Sequence, residues 1–191
     1  MAKEILEQLF DSPIKVRLLK FFLRNPEQSL VLKDIVRRVR GNSAVCNRQL
    51  KRLESIKFLN VRVKNNKKYY SVNPGFDFYD ELGSLVLKSS PASKEKILKR
   101  LRVLGRIKLA ILSGIFVNSE NSRVDLLVVG DAIKKKKLSD FLKDLEAEVG
   151  KEIDYVLLST KDFKYRYDMF DRFVRDVLEK PHEKLVNKLK I

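Results

Sequence analysis

Residues 42–74, NSAVCNRQLKRLESIKFLNVRVKNNKKYYSVNP, restrict what this chain can fold into more than any other stretch. In the first part, Cys46, Leu50 and Leu53 recur at helical spacing and fall in one narrow stripe of a helix over 43–56. Asn42 or Ser43 is the expected cap. The second part alternates, with Leu59, Val61 and Val63 on one side and Arg62 and Lys64 on the other, as in a half-buried strand. Strands are predicted over 58–64 and 67–72. Asn65-Asn66 lies between them, a pair that tolerates positive φ and suits a two-residue hairpin turn.

The polar side of that helix carries Ala44, Arg48, Lys51, Arg52 and Ser55, with Asn47 at its flank. Such a face suits the major groove of DNA: Arg can bond guanine O6 and N7 together, and Asn can do the same at adenine N6 and N7. Ser43 and the free N–H groups at the helix start suit a phosphate. The hairpin adds Arg62, Lys64, Asn65, Asn66, Lys67 and Lys68, which fit phosphates or an adjacent minor groove. Charge is concentrated in the same place. The chain has a formal net charge of +16, and residues 33–68 hold 12 Lys+Arg against 2 Asp+Glu. A balance that basic points to a polyanion.

Around this stretch the pattern predicts further helices over 4–10, 13–23, 33–39 and 76–88, and a short strand over 30–32. Ser12-Pro13 is a cap followed by a first-turn proline. Residues 89–93, SSPAS, read as a linker in which Ser93 can cap the next helix. Beyond it, helix 94–104, strands 107–113 and 124–129, helix 135–149 and strand 152–158 alternate as in an α/β unit with its sheet covered on at least one face. Helices are expected from 161 to the end. Phe163, Tyr167, Phe170, Phe173, Val174, Val177 and Leu178 lie there at helical spacing, read first as core of their own domain and second as a subunit contact. The expected domains are 1–90 and 91–191.

The sequence also excludes classes of protein. Its apolar runs are too short to span a bilayer, and its first residues lack the apolar core of a signal peptide. One cysteine excludes an internal disulfide framework and fits a reducing compartment. Cys46 reads as a small core residue. His182 reads as a surface residue in a proline-initiated helix turn. The expected location is the cytoplasm.

The segments LFDSPIKVRLLKFFLRNP, LVLKDIVRRV, NRQLKRLESIKFL and VKNNKKYYSVNP give residues 9–74 a resemblance to the winged helix-turn-helix domains of bacterial and archaeal transcriptional regulators. The resemblance implies the order helix, helix, recognition helix, wing, and a double-stranded DNA partner. Residues 105–159 resemble a small, degenerate nucleotidyltransferase domain. That family places Gly-Ser at a helix start, Asp-x-Asp on a following strand and a third Asp on a later one, and the three carboxylates hold two divalent metals. Here Gly114-Ile115 stands for Gly-Ser, Arg123-Val124-Asp125 for Asp-x-Asp, and Asp154 for the third aspartate. With one carboxylate replaced by a guanidinium, two divalent ions would be under-neutralised and repelled. Arg123 is therefore expected to pair with Asp125 or Asp154.

The fold expected is α+β: an N-terminal winged helix-turn-helix domain, then a small α/β nucleotidyltransferase-like domain with C-terminal helices. No catalytic residue, metal, cofactor or membrane partner is expected. Double-stranded DNA is the expected partner, with a homodimer left open and a nucleotide ligand ranked behind. The alternatives are a nucleotidyltransferase acting on RNA or a protein, and a non-catalytic nucleotide-sensing or protein-interaction module.

Overall fold

After a short helix α1 (Ile5–Leu9), the Ser12 hydroxyl accepts the Lys15 N–H at 3.2 Å and starts α2 (Pro13–Arg24), with proline in the first turn. The computed structural model describes residues 5–88, 92–119 and 121–191, so 89–91 of the expected linker lie outside the described residues. Within these the chain is mixed α+β, with nine α-helices and two small sheets of three and four strands. It divides into two compact units, Met1–Pro91 with Glu146–Lys151, and Ala92–Leu145 with Glu152–Ile191.

In the first unit, β1 (Leu30–Val31) leads into α3 (Leu32–Val39). This helix stops at Arg40, which adopts the left-handed region with φ 49° and donates its N–H to Val36. Gly41 follows, where a Cβ would run into Cys46 Sγ, so the turn can close on the next helix only without a side chain. Asn42 then caps α4 (Ser43–Ser55), its Oδ1 accepting the N–H groups of Ala44 and Val45 at 2.9 and 3.3 Å. β2 (Leu59–Lys64) and β3 (Lys67–Val72) pair in register around Asn65 and Asn66, whose φ of 51° and 57° make a type I′ turn. The sheet order is β1-β3-β2, all antiparallel. Asn73 ties the hairpin back: its N–H donates to Phe58 and its side-chain amide to Lys57. Helix α5 (Tyr79–Lys88) starts three residues later than the sequence pattern suggested, after turns at Pro74-Gly75 and at Phe76. Phe22, Ile35, Cys46, Leu50, Phe58, Tyr70 and Val72 meet in the core, and α4 lies over it by its Cys46–Leu50–Leu53 stripe.

The second unit has α6 (Lys94–Leu101), β4 (Arg106–Leu112), a 3-10 turn at Gly114–Phe116, β5 (Leu126–Asp131), α7 (Lys135–Val149, of which 146–149 count with the first unit) and β6 (Tyr155–Leu158). Then come α8 (Thr160–Asp168), α9 (Arg172–Glu179) and β7 (Glu183–Asn187). Ser93 stands at the N-cap of α6 without a side-chain capping bond. The sheet order is β6-β5-β4-β7: β5 and β6 run parallel across α7, and the other pairs are antiparallel. One face of the sheet, Leu109, Ile111, Leu127 and Val129, packs on Phe163 of α8 and on Val174 and Val177 of α9. Ala110, Leu112, Leu126 and Val128, on the other face, are equally buried, so both faces are covered.

Three sequence expectations fail here. The chain does not stay helical from 161 onward, because residues 183–187 form β7 against β4. Without it, the central strand β4 would leave a row of main-chain groups unpaired beside a buried core. His182 accordingly lies outside any helix, its Nδ1 at 2.8 Å from the Lys180 carbonyl, on the approach to that strand. Helix α6 also stops at Leu101, and turns at Arg102–Leu104 replace its expected last residues. Among the described residues no helix is long and apolar enough to cross a membrane.

Candidate nucleic-acid interface

Positions 44, 47, 48, 51, 52 and 55 follow the i, i+3, i+4 repeat of one helix face. On α4, Ala44, Asn47, Arg48, Lys51, Arg52 and Ser55 line a single open groove of about 440 Å³. Arg48, Lys51 and Arg52 are exposed, and among the described residues none has a carboxylate partner. The opposite face is held by burial of Cys46, Leu50 and Leu53. Gln49 is buried there too, with Oε1 unpartnered among the described residues, and is a core position absent from the expected stripe. The signal was present: Gln49 stands three residues after Cys46 and four before Leu53, inside the apolar stripe. Burial also pushes the Cys46 thiol pKa up, which keeps it a neutral core group.

The helix start differs from expectation in one respect. Ser43 is exposed in the first turn, but the Asn42 side chain already takes the N–H groups of Ala44 and Val45. Two of the donors that would have met a phosphate are therefore occupied.

Strand alternation sorts the hairpin side chains by face. Lys64 stands opposite Lys67 and Arg62 opposite Tyr69, so these four share a face. Val63 stands opposite Lys68 on the other face, which further along carries Val61 and buried Tyr70. Lys67 and Lys68, grouped together by the sequence, thus leave the hairpin on opposite sides. Arg62, Lys64, Asn65, Asn66, Lys67 and Lys68 are all exposed, and none of them lines the α4 groove. Among the described residues the four cations of this group have no ion pair. Elsewhere carboxylates do take up cations, as in Arg37–Asp34, Arg123–Asp176 and Arg175–Glu179.

In the second unit the structure brings together Gly114, Ile115, Asp125 and Asp154, the residues matched to the nucleotidyltransferase motif. Asp125 Oδ1 accepts the Ile115 N–H at 2.8 Å, and Oδ2 accepts the Asp154 N–H at 3.0 Å. Gly114 has φ 53° and its Cα lies against that carboxylate, leaving no room for a Cβ. Arg123 is not part of this arrangement. Its Nε donates to Asp176 of α9 at 2.7 Å, correcting the expected pairing with Asp125 or Asp154. Asp125 is turned to main-chain donors, and Arg123 takes its carboxylate from α9. That bond holds the Asp176 carboxyl below its usual pKa. Asp154 is exposed and contributes its main chain, and among the described residues no three His, Cys, Asp or Glu side chains cluster as metal ligands would. Asp131, at the end of β5, is likewise held low, chiefly by the Thr160 hydroxyl and N–H.

Compared with known proteins, the chain matches no protein-family model and no curated protein.

Proposed function

We propose that this chain is a sequence-specific double-stranded DNA-binding protein of the winged helix-turn-helix type, acting as a cytoplasmic transcriptional regulator. Helix α4 enters the major groove, where Arg48 and Asn47 meet base edges. The β2–β3 hairpin is the wing, and its face of Arg62, Lys64 and Lys67 lies along the phosphate backbone. One observation carries this: Arg48, Lys51, Arg52, Arg62, Lys64, Lys67 and Lys68 are exposed and, among the described residues, free of any carboxylate, in a chain that pairs cations elsewhere. Free cations gathered on one helix face and one hairpin are what a phosphate backbone neutralises.

The second unit is, in this proposal, a nucleotidyltransferase-like domain without catalysis. Asp125 uses both carboxylate oxygens on main-chain N–H groups, and Arg123 is committed to α9.

Selection of bound sequences from a random duplex pool, followed by titration of the winning duplex over a range of salt, is the test. Affinity should fall with a log–log slope of about −0.9 per neutralised phosphate, and the selected sequences should share a motif. No salt-sensitive duplex affinity would end the proposal. Incubation with labelled nucleoside triphosphates and Mg²⁺ or Mn²⁺ tests the rest: group transfer that disappears in Asp125→Ala would make the second unit an enzyme.

A further inference from the structure

An open strand edge presents unpaired N–H and C=O groups, and proteins normally guard such edges by shortness, charge or cover. Among the described residues, three of the four sheet edges are guarded. β1 has two residues, Leu30–Val31. β2 carries Arg62 and Lys64. β7 carries Glu183 and Lys184, with Glu183 paired to Lys94 at 2.6 Å. The fourth edge, β6, reads Tyr-Val-Leu-Leu and has no charge at all. Among the described residues it pairs with β5 alone.

The ladder defines which groups are free. Leu126 donates its N–H to the Asp154 carbonyl, so residues 154, 156 and 158 turn their main chain toward β5. Tyr155 and Leu157 therefore present theirs outward. Val156 and Leu158 pack on the core beneath, and Tyr155 on the opposite face is 46% exposed. Helix α8, into which β6 leads, and the turn that ends it add exposed Tyr165, Met169 and Phe170. Phe170 is also held at φ 53°, a conformation a bulky side chain adopts at a cost.

We infer that β6 is a self-association seam: β6 of a second copy of this chain pairs with it antiparallel about a two-fold axis, joining two four-stranded sheets into one. Charge selects the occupant. Two chains of net charge +16 repel, so a contact between copies needs a surface without charge, and of the two uncharged edges among the described residues, β1 and β6, β6 is the one longer than two residues. An acidic partner strand would be drawn to β2 instead. The outward groups set the register. Tyr155 pairs with Leu157 of the second copy, and Val156 meets its own counterpart at the axis as a non-hydrogen-bonded pair. The contact uses the same strand from both copies, so it closes as a dimer and does not propagate.

Sedimentation equilibrium of the full chain, free of DNA, tests this over micromolar to near-millimolar concentration. A dimer is expected, tighter at high salt because screening removes the repulsion between copies, whereas binding to DNA weakens with salt. Tyr155→Lys should give a monomer with unchanged circular dichroism and a thermal midpoint that no longer depends on protein concentration, while Tyr155→Phe should remain dimeric. Val156→Cys should form a disulfide-linked dimer on mild oxidation, since a non-hydrogen-bonded pair places the two Cα atoms about 4.5 Å apart. The wild-type chain, whose one cysteine is buried, should not cross-link. A wild-type chain that stays monomeric throughout overturns the inference. So does a dimer that survives Tyr155→Lys and gives no Val156→Cys cross-link.

Discussion

Asp125 and Asp154 hold each other by the main chain: the Asp125 carboxylate accepts the Asp154 N–H at 3.0 Å, and the Asp154 carbonyl accepts the Asp125 N–H at 2.7 Å. Only one of the two side chains takes part. Replacing Asp125 with Ala strips partners from the N–H groups of both Ile115 and Asp154, and should cost about 2–3 kcal/mol of stability. Replacing exposed Asp154 with Ala should stay within about 0.5 kcal/mol. Denaturant unfolding of the two variants measures the contrast. Equal losses would mean that both carboxylates serve one shared site.

Gly114→Ala should be at least as damaging as Asp125→Ala. A Cβ at φ 53° is strained in itself, and here it would also collide with the Asp125 carboxylate. Loss of near-UV circular dichroism or a lowered thermal midpoint reports it. An alanine variant as stable as wild type would show that the 113–125 loop can move away.

On the DNA side, Arg48→Ala should weaken the selected duplex by about 1–3 kcal/mol and relax preference at one base position. Lys67→Ala should weaken all duplexes alike and make the salt slope shallower by about 0.9. Fluorescence anisotropy on matched and scrambled duplexes separates the two behaviours. Because Lys67 and Lys68 leave opposite faces of the hairpin, their alanine variants should differ in effect, and equal losses would mean that both faces meet the backbone.

The hairpin turn gives a prediction of opposite sign. Asn66 has φ 57° in a type I′ turn, the position glycine favours most. Asn66→Gly should raise the thermal midpoint, and Asn66→Val should lower it by an amount worth about 1–2 kcal/mol, since a β-branched residue is poorly suited to positive φ. If both variants unfold like wild type, the turn does not limit stability.

Acid should weaken the second unit through two carboxylates. Thr160 lowers the Asp131 pKa and Arg123 lowers that of Asp176. A folded-state pKa below the unfolded value adds stability above the ordinary aspartate value of about 4 and loses it as pH falls through the folded value. Stability should therefore drop below about pH 4, and in Thr160→Val the Asp131 carboxyl should titrate nearer its ordinary value. Carbon-detected NMR titration of the carboxyl resonances follows each group. An unchanged Asp131 titration in Thr160→Val would remove the hydroxyl as the cause.

What the sequence disclosed and what it hid divide along the range of the interactions involved. Ser12, Asn42, the Asn65-Asn66 turn and the Cys46–Leu50–Leu53 stripe were legible because each is decided within a few residues. The outward set on α4 followed from the same periodicity. Partners far apart in sequence were not legible. Arg123 meets Asp176 only after α9 has packed on the sheet, and the nearer Asp125 and Asp154 were the natural guesses. β7 was hidden for a related reason: EKLVN has no decisive period, and its conformation is set by the unfilled edge of β4. The start of β6 shifted from 152 to Tyr155, where pairing with Leu126 begins.

The pairing of β4 with β7 also orders events in time. During synthesis β4, β5 and β6 are all made before residue 183, so for that interval one side of β4, with Leu109, Ala110, Ile111 and Leu112, has no strand beside it. The hairpin of β2 and β3, closed by two residues, needs no such wait. A ribosome stalled before the last strand would thus carry a finished first sheet and a second one still open to any extended chain nearby, and a stop codon before β7 would make that transient exposure permanent.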